Sequence, residues 1–413
     1  MGNQISKTKV NSQKVELHLK SFSLRNDHED LEESTISGTN VWRGSARYST
    51  ENWNIEDGQH AGSSRDSTIG APGLIIISEE ELIAVSEIKP ILPTLHLMAT
   101  LRELIEATEK QIARNETFTE FLSLEHIKPL DDCILGNAPQ NREKNRYRDI
   151  IPYDGTRVPL GERQGYINAS YIRILNSGEE YVYIATQGPL PGTTEDFWQM
   201  VWENKSNVIA MMTKEIENGL IKCHRYWPMS RNKPLELQDY VIVLEDYQIL
   251  ETFTIRKFKM VKKDTGKRCI SSLGSDRDSG RKKKDKKCKA ELKRPGSVHF
   301  VHQIQFINWP DHGIPTSFDA FVRYIRYMKK IHETGPIIAH CSAGIGRTGV
   351  LLCVDVVLRA LEKDFEFNIK NIVTQMREQR FGMIQTKEQY HFCYEVVVYV
   401  LRKILTSTPG STE

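Results

Sequence analysis

The stretch 340–349 constrains the fold of this chain more than any other. It reads His-Cys-Ser-Ala-Gly-Ile-Gly-Arg-Thr-Gly and lies between an apolar run, 336–339, and a helical apolar stretch, 350–361. This pattern predicts a buried strand, a short loop and a helix whose N-terminus points into the loop. Five residues stand between Cys341 and Arg347, enough for the loop to curl around a tetrahedral anion.

The residues of this loop are suited to binding phosphate. Its backbone N–H groups can point inward as a nest, and the dipole of the following helix favours negative charge there. Gly344 and Gly346 permit backbone angles and close approaches that a Cβ would block. Arg347 adds a planar, two-pronged donor that matches phosphate oxygens. The same field favours the thiolate of Cys341, so the loop is predicted to hold a nucleophile at its base.

The loop also resembles the active-site loop of the classical non-receptor protein tyrosine phosphatases, His-Cys-x-x-Gly-x-x-Arg-Ser/Thr. The resemblance implies that Cys341 attacks phosphorus while Arg347 binds the phosphate oxygens. It further implies that His340 orders the loop and that Thr348 hydrogen-bonds the sulfur. The remaining loop residues would bind substrate through their backbone amides: Ser342, Ala343, Gly344, Ile345 and Gly346.

A second stretch, 309–315, resembles the mobile Trp-Pro-Asp loop of the same family and is called the acid loop below. It reads Trp-Pro-Asp-His-Gly-Ile-Pro, with Ile314 where the family usually has Val. The resemblance implies that Asp311 protonates the tyrosyl oxygen as it leaves and then acts as the base for the attacking water.

A third stretch, 385–390, reads Gln-Thr-Lys-Glu-Gln-Tyr and resembles the family's glutamine loop. The resemblance implies that Gln385 positions the hydrolytic water, with support from Gln389. Gly382 lies three residues earlier and, being small, is expected to leave the pocket entrance open.

The stretch 144–150 resembles the family's phosphotyrosine-recognition loop. By this resemblance Tyr147 flanks the substrate ring and makes the pocket too deep for phosphoserine, while Asp149 binds the substrate backbone. Lys222, in a later motif of the family, is expected to face the site.

Residues 119–405 alternate apolar strands, turns and helices, which indicates one α/β domain. The resemblance implies the phosphatase fold, a twisted mixed central sheet flanked by helices. Helical apolar spacing predicts a leading helix over 99–118. Residues 1–98 are polar without a sustained period and are predicted to be largely disordered, and 406–413 to be a flexible tail.

Residues 264–297 break the domain pattern, with twelve Lys/Arg against five Asp/Glu. They lie between the strand-like runs 253–261 and 298–307, so we interpret them as a long hairpin insertion. One interpretation of this insertion is a solvated loop without a partner. The other is a basic patch for nuclear import or for binding acidic lipid or nucleic acid. We expect no nucleic-acid partner.

Gly2 with Ser6 matches the N-myristoylation pattern. One myristoyl chain binds membrane only marginally, so a second signal is needed, and the basic insertion 264–297 offers one. The hypothesis is a reversible membrane contact.

The composition indicates the cellular compartment but does not indicate the partners. The net charge of +2 points to no partner class, no apolar run reaches membrane-spanning length, and the seven cysteines lack disulfide spacing. We therefore predict an intracellular protein that is neither secreted nor transmembrane. It would be cytoplasmic, with nuclear or cytoskeletal pools as alternatives. We expect no metal and no cofactor, because no cluster with metal-ligand spacing is visible.

The function predicted from the sequence is hydrolysis of phosphotyrosine on proteins, which regulates tyrosine-phosphorylation signalling. Two alternatives stay open. A catalytically silent phosphotyrosine-binding module would keep the phosphate loop but lose Asp311, Cys341 or Arg347, all of which are present. A dual-specificity or phosphoinositide phosphatase would lack the Tyr147 loop. The physiological substrate and the oligomeric state are not predicted.

Overall fold

The structure is a computed structural model, and it describes residues 75–88, 95–124, 132–263, 297–310 and 313–407. Several predictions fall outside the described residues: Gly2, Asp311, most of the N-terminal region (1–74), the insertion (264–296) and the last six residues (408–413).

The described residues form strands and helices in alternation. The strands are β1 (Arg157–Leu160), β2 (Gly165–Asn176), β3 (Glu179–Thr186), β4 (Val208–Met211), β5 (Ile216–Glu217), β6 (Leu220–Ile221), β7 (Leu235–Glu236), β8 (Tyr240–Ile249), β9 (Phe253–Lys262), β10 (Val298–Phe306) and β11 (Ile337–His340). The α-helices are α1 (Glu79–Ser86), α2 (Leu95–Ala113), α3 (Glu116–Leu122), α4 (Ile134–Asn137), α5 (Thr194–Glu203), α6 (Phe318–Ile331), α7 (Gly346–Lys363), α8 (Ile369–Gln379) and α9 (Lys387–Ser407).

One large sheet organises the domain, in the order β1-β2-β3-β11-β4-β10-β9-β8-β7. Strand β11 is parallel to β3 and to β4, and β10 is parallel to β4, whereas the outer strands pair antiparallel. The predicted mixed central sheet is therefore confirmed.

The short strand β11 lies in the interior of this sheet between β3 and β4, and all four of its residues are buried. Ile337 and Ala339 pack in the cluster that contains the apolar faces of α6, α7, α8 and α9, while Ile338 packs in the cluster beneath α5. Such a continuous apolar run is typical of a parallel strand covered on both faces.

The carboxyl ends of the parallel strands meet at one edge of the sheet. His340 pairs with Thr186 at the end of β3 and with Met211 at the end of β4. Gln305, next to the end of β10, also pairs with Met211. Ligands bind at this edge of open α/β sheets, and the loops that follow these strands meet there.

Strands β9 and β10 form the predicted hairpin around the basic insertion. They pair antiparallel without a break from Phe253 with Phe306 to Val261 with Val298. The two strand-like runs are thus confirmed as paired strands.

The N-terminal side of the domain departs from expectation in two places. The helical stretch predicted over 99–118 is found as two helices, α2 and α3, because Asn115 between them adopts a left-handed conformation with φ of 56°. Residues 75–88 were expected to belong to a largely disordered region, yet they contain α1, and Ile77 and Leu82 are buried.

Within the described ranges, none of the helices combines the length and the apolar character that a membrane span requires.

Candidate active site

The loop after β11 closes around the Cys341 sulfur. The thiol is buried, and the backbone N–H of Gly344 donates to Sγ at 3.3 Å. Gly344 has φ of 74°, and a Cβ there would lie 2.2 Å from the carbonyl oxygen of Thr186. Only glycine fits this position, because both the backbone angle and the space exclude a side chain. The loop then enters α7 at Gly346.

Arg380 holds the same loop through its backbone carbonyl groups. Its guanidinium is fully buried and donates to the carbonyls of Gly344 and Ala343, at 3.0 Å each. It also donates to the Ser170 hydroxyl and the Asn168 side chain on β2. Burial lowers the pKa of Arg380 to about 10. With these carbonyls directed at Arg380, the loop is braced from its outer side, as an inward-facing nest requires.

Arg347 extends from the first turn of α7 and is held by Glu217 on the β5–β6 hairpin. Nη1 donates to one Glu217 oxygen at 2.6 Å and Nη2 to the other at 2.9 Å. Burial opposes the charge of Glu217, but hydrogen bonds from Arg347 and Thr213 keep the pKa of the carboxyl below its ordinary value. The guanidinium also lies over the Trp309 ring, 5.6 Å from its centre. These contacts fix the orientation of the Arg347 guanidinium independently of any bound anion.

His340 lies beneath the loop with no exposed surface. Its Nδ1 is 3.2 Å from the Cys341 carbonyl oxygen, which can only accept, so Nδ1 carries the proton. Nε2 therefore accepts from the Tyr226 hydroxyl at 2.8 Å, and that hydroxyl accepts from Gln303 at 2.7 Å. Burial lowers the pKa of His340 to about 4. The imidazole is neutral near pH 7 and ties the loop to the sheet.

The recognition loop meets the phosphate loop through a side-chain hydrogen bond. The Tyr147 hydroxyl lies 2.7 Å from the Ser342 hydroxyl oxygen, so the ring stands at the rim of the site. Asp149 is exposed next to it, where an approaching peptide can reach it.

Lys222 follows the β5–β6 hairpin and is half-buried. Its N–H donates to the Glu215 carbonyl at 2.8 Å, and its own carbonyl lies against Gly188. Gly188 in turn donates to the Ser342 carbonyl at 2.9 Å. The backbone of Lys222 is thereby fixed beside the phosphate loop.

The two glutamines lie over the N-terminus of α7. The Gln385 N–H donates to Gln389 Oε1 at 3.0 Å. A Cβ on Gly346 would lie 3.0 Å from Gln389 Oε1 and 3.2 Å from Gln385 Oε1. Buried Arg377 supports this turn by donating to the carbonyls of Met383 and Ile384, at 3.0 and 2.8 Å.

This constellation agrees with the comparisons with known proteins. A family model described as "Protein-tyrosine phosphatase" matches residues 141–399, which include the strand β11, the loop after it and both glutamines. The chain belongs to the protein tyrosine phosphatase family.

Relatives within the family match almost the whole chain. Human tyrosine-protein phosphatase non-receptor type 20 is 49% identical over 407 residues, which is 98% of this chain and 90% of the relative. The rat protein of that name is 48% identical over 403 residues, 96% of this chain and 88% of the relative. Human tyrosine-protein phosphatase non-receptor type 13 is 40% identical over 351 residues, 85% of this chain but 13% of the relative.

The phosphatase acid loop is described only on either side of Asp311 and His312. The Trp309 indole donates to the Gly313 carbonyl at 3.1 Å. The Pro310 carbonyl accepts from Arg347 Nη2 at 3.4 Å. The role of Asp311 remains a prediction, because that residue lies outside the described part of the chain.

Sequence reasoning missed three residues that hold the phosphatase site: Glu217, Arg377 and Arg380. The signal for Glu217 was present, since it is followed by Asn218-Gly219, a dipeptide typical of a two-residue hairpin. Both residues have positive φ, 49° and 73°, as a type I′ turn requires. The two arginines gave no such signal, because arginine is normally expected at the surface.

Two further predictions stay open. Among the described residues the buried Thr348 hydroxyl makes no hydrogen bond, so its bond to the Cys341 sulfur is still a prediction. The second is the expectation of no metal. Among the described residues there is no cluster of three or more His, Cys, Asp or Glu side chains that could hold a metal ion.

Proposed function

We propose that this protein hydrolyses phosphotyrosine on proteins through a phosphocysteine intermediate. In the first step the Cys341 thiolate attacks phosphorus in line, so the S–P bond forms as the bond to the tyrosyl oxygen breaks. Arg347 and the N–H groups of the loop bind the three equatorial oxygens. Asp311 gives its proton to the departing tyrosyl oxygen.

In the second step water attacks the phosphocysteine. Gln385 positions the water, with Gln389 in support, and the Asp311 carboxylate takes a proton from it. The new O–P bond forms as the S–P bond breaks, which releases phosphate and restores the thiolate. Thr348 hydrogen-bonds the departing sulfur, and neutral His340 keeps the loop in place throughout.

Substrate selection rests on the rim of the site. Tyr147 flanks the phosphotyrosine ring and sets a depth that phosphoserine cannot span. Asp149 binds the backbone of the substrate, and Lys222 faces the phosphate side of the pocket.

The observation that carries this proposal is the braced loop around Cys341. Gly344 donates to the sulfur, Arg380 binds the outward carbonyls, and Glu217 holds the fork of Arg347. A donor array that is already in place stabilises the charge of a phosphoryl transition state without reorganisation during the reaction.

The proposal is tested with purified wild type, Cys341→Ser and Asp311→Ala on a phosphotyrosine peptide and its phosphoserine twin. We expect turnover of the phosphotyrosine peptide only, lost in Cys341→Ser and lowered by orders of magnitude in Asp311→Ala. Mass spectrometry of acid-quenched wild type should find phosphate on Cys341. Near-wild-type activity of Asp311→Ala would overturn its role. Binding without turnover by wild type would favour the binding module, unless deletion of 267–296 restored turnover.

In this proposal the enzyme acts inside the cell and regulates tyrosine-phosphorylation signalling. Gly2 would carry a myristoyl chain that, with the basic insertion, gives reversible membrane contact. Metabolic labelling with a myristate analogue tests this, with Gly2→Ala as the matched control. Absence of label that depends on Gly2 would exclude the contact as proposed.

A further inference from the structure

Residues 75–88 dock on the catalytic domain although they lie outside the part that the family model matches, 141–399. They are called the docking segment. The side chain of Gln248 on β8 makes three hydrogen bonds to its extended first part. Oε1 accepts from the N–H groups of Ile76 and Ile77 at 2.8 and 2.9 Å, and Nε2 donates to the Ile77 carbonyl at 2.9 Å.

The docking segment then forms α1, which packs against α6. Ser78 caps the helix by accepting from the Glu81 N–H at 3.1 Å. Ile77 and Leu82 are each 3% exposed and belong to the main core cluster, whereas Ile83 on the outer side of α1 is 43% exposed. The segment thus buries two large apolar anchors, as a stably docked element does.

Charge complements the apolar contact. The first turn of α1 is acidic, and the facing side of α6 is basic. Glu79 pairs with Arg323 at 2.6 Å, and Glu81 pairs with Lys330. At the other end of α1, Arg326 donates to the Val85 carbonyl at 3.3 Å, where a helix terminus favours a cation. The face of α6 together with Gln248 therefore fits a short helix with an acidic first turn and apolar anchors, which is what residues 75–88 supply.

The helix under the docking segment is also the continuation of the acid loop. Helix α6 begins at Phe318, three residues after the acid loop ends. The Trp309 ring packs edge-on against Phe321 of α6, with 5.8 Å between ring centres. Arg323, which holds Glu79, also pairs with Asp319 in the first turn of α6.

Asp319 in turn anchors α6 to α9. It accepts from the Tyr399 hydroxyl at 2.9 Å and from Lys403 Nζ at 2.8 Å. The N-terminal end of α6 is thus held between the docking segment and α9.

We propose that residues 75–88 act as a positioning segment for the acid loop. While docked in cis, the segment fixes the position of α6, against which Trp309 of the acid loop packs. Its release weakens general acid catalysis and leaves the Cys341 loop intact. This inference rests on the proposed role of Asp311.

The test uses the full chain with Leu82→Glu and Gln248→Ala, and Ile83→Glu as the matched control on the exposed side of α1. Substrates are aryl phosphates whose leaving phenols range from strongly to weakly acidic. A weakly acidic phenol needs the proton from the general acid, and a strongly acidic one does not. For the two docking variants we expect kcat/KM to fall about tenfold with the weakly acidic phenols and less than about twofold with the others. The control should match wild type.

Hydrogen exchange of residues 75–88 reports whether the segment has been released. A peptide of residues 73–90, added in trans to Leu82→Glu, should restore kcat/KM, and the same peptide carrying Leu82→Glu should not. The proposal would be overturned if residues 75–88 were released and the dependence of kcat/KM on the leaving group did not change. It would also be overturned if kcat/KM fell equally with all aryl phosphates, because that result indicates a structural role alone. If Asp311→Asn itself showed no leaving-group dependence, the assignment of the general acid would fail instead. Gln248→Ala keeps the test valid should Leu82→Glu fail to fold.

Discussion

Arg347 and Glu217 form a two-bond fork, with nitrogen–oxygen distances of 2.6 and 2.9 Å, although 130 positions separate them in the chain. Both side chains are largely buried, at 14% and 3% exposed. A buried guanidinium with one fixed carboxylate partner keeps its remaining donors in a defined direction. The β5–β6 hairpin carries Glu217 and therefore fixes the orientation of the Arg347 guanidinium, which is proposed to bind the phosphate oxygens.

Replacing Glu217 with Gln should weaken catalysis more than folding. The amide keeps the size of the side chain but removes the charge that holds Arg347. We expect kcat/KM on a phosphotyrosine peptide to fall about 10- to 100-fold, or ~1.4–2.7 kcal/mol of transition-state stabilisation.

Glu215→Gln is the matched control for this change. Glu215 lies two residues away, and both of its oxygens bind Arg225 at 2.8 Å instead of Arg347. Its loss should leave kcat/KM near the wild-type value. Equal losses in the two variants would show that the hairpin acts through its fold and not through the Arg347 fork.

Two glycines with the same backbone angle separate conformational strain from steric exclusion. Gly344 and Gly382 have φ of 74° and 72°. A Cβ on Gly344 would meet the Thr186 carbonyl at 2.2 Å, whereas on Gly382 it would approach only the end of the Ile345 side chain, at 3.3 Å. Gly382→Ala should therefore cost about 1–2 kcal/mol of stability from the angle alone.

Gly344→Ala carries the same angular strain and a backbone clash as well. We expect it to lower activity at least about 100-fold, because the loop must move away from the geometry that binds the anion. Urea unfolding and peptide turnover of both variants measure the difference. Similar activity losses in the two would contradict the role given to the close approach at Thr186.

The sequence was sufficient where contacts are local or a motif is complete. The strand, loop and helix around Cys341 follow from a switch in apolar pattern over about 25 positions. The hairpin of β9 and β10 follows in the same way from two runs of strand-forming residues.

Long-range polar contacts could not be predicted from such patterns. Arg380 bonds the Asn168 side chain 212 positions away, and no periodicity records that pairing. The docking segment was missed for a different reason. Its signal is the apolar run 74–77 followed by Ser78-x-x-Glu81, a capping-box pattern, before Leu82. So short a segment has no core of its own, and its hydrogen-bond partner Gln248 lies 171 positions further along the chain than Ile77. The helix packs against α6 through Leu82 because the domain supplies the apolar partner.

Tyr147 should contribute to recognition in two separable ways. Tyr147→Phe keeps the ring and removes the hydrogen bond to Ser342, so we expect a loss of about fivefold in kcat/KM, near ~1 kcal/mol. Selectivity for phosphotyrosine over phosphoserine peptide should be unchanged. Tyr147→Ala removes the ring, and the selectivity should relax. Unchanged selectivity in Tyr147→Ala would count against a pocket depth set by this ring.

His340 should make folding stability depend on pH. Burial lowers its pKa from the ordinary 6.5 to about 4, so between these values the unfolded chain binds a proton that the folded chain does not. Stability is then lost as the pH falls through this window. From about pH 7.5 to about pH 5 the expected loss is about 2 kcal/mol from this residue. The measurement is urea unfolding of wild type and His340→Gln at both pH values. In His340→Gln the loss of folding stability between the two pH values should be smaller by about 2 kcal/mol. Tyr226→Phe should retain most of the pH dependence, since it removes the hydrogen bond to Nε2 but keeps the imidazole buried. A full dependence in His340→Gln would mean that other groups carry it and that His340 is not held neutral by burial.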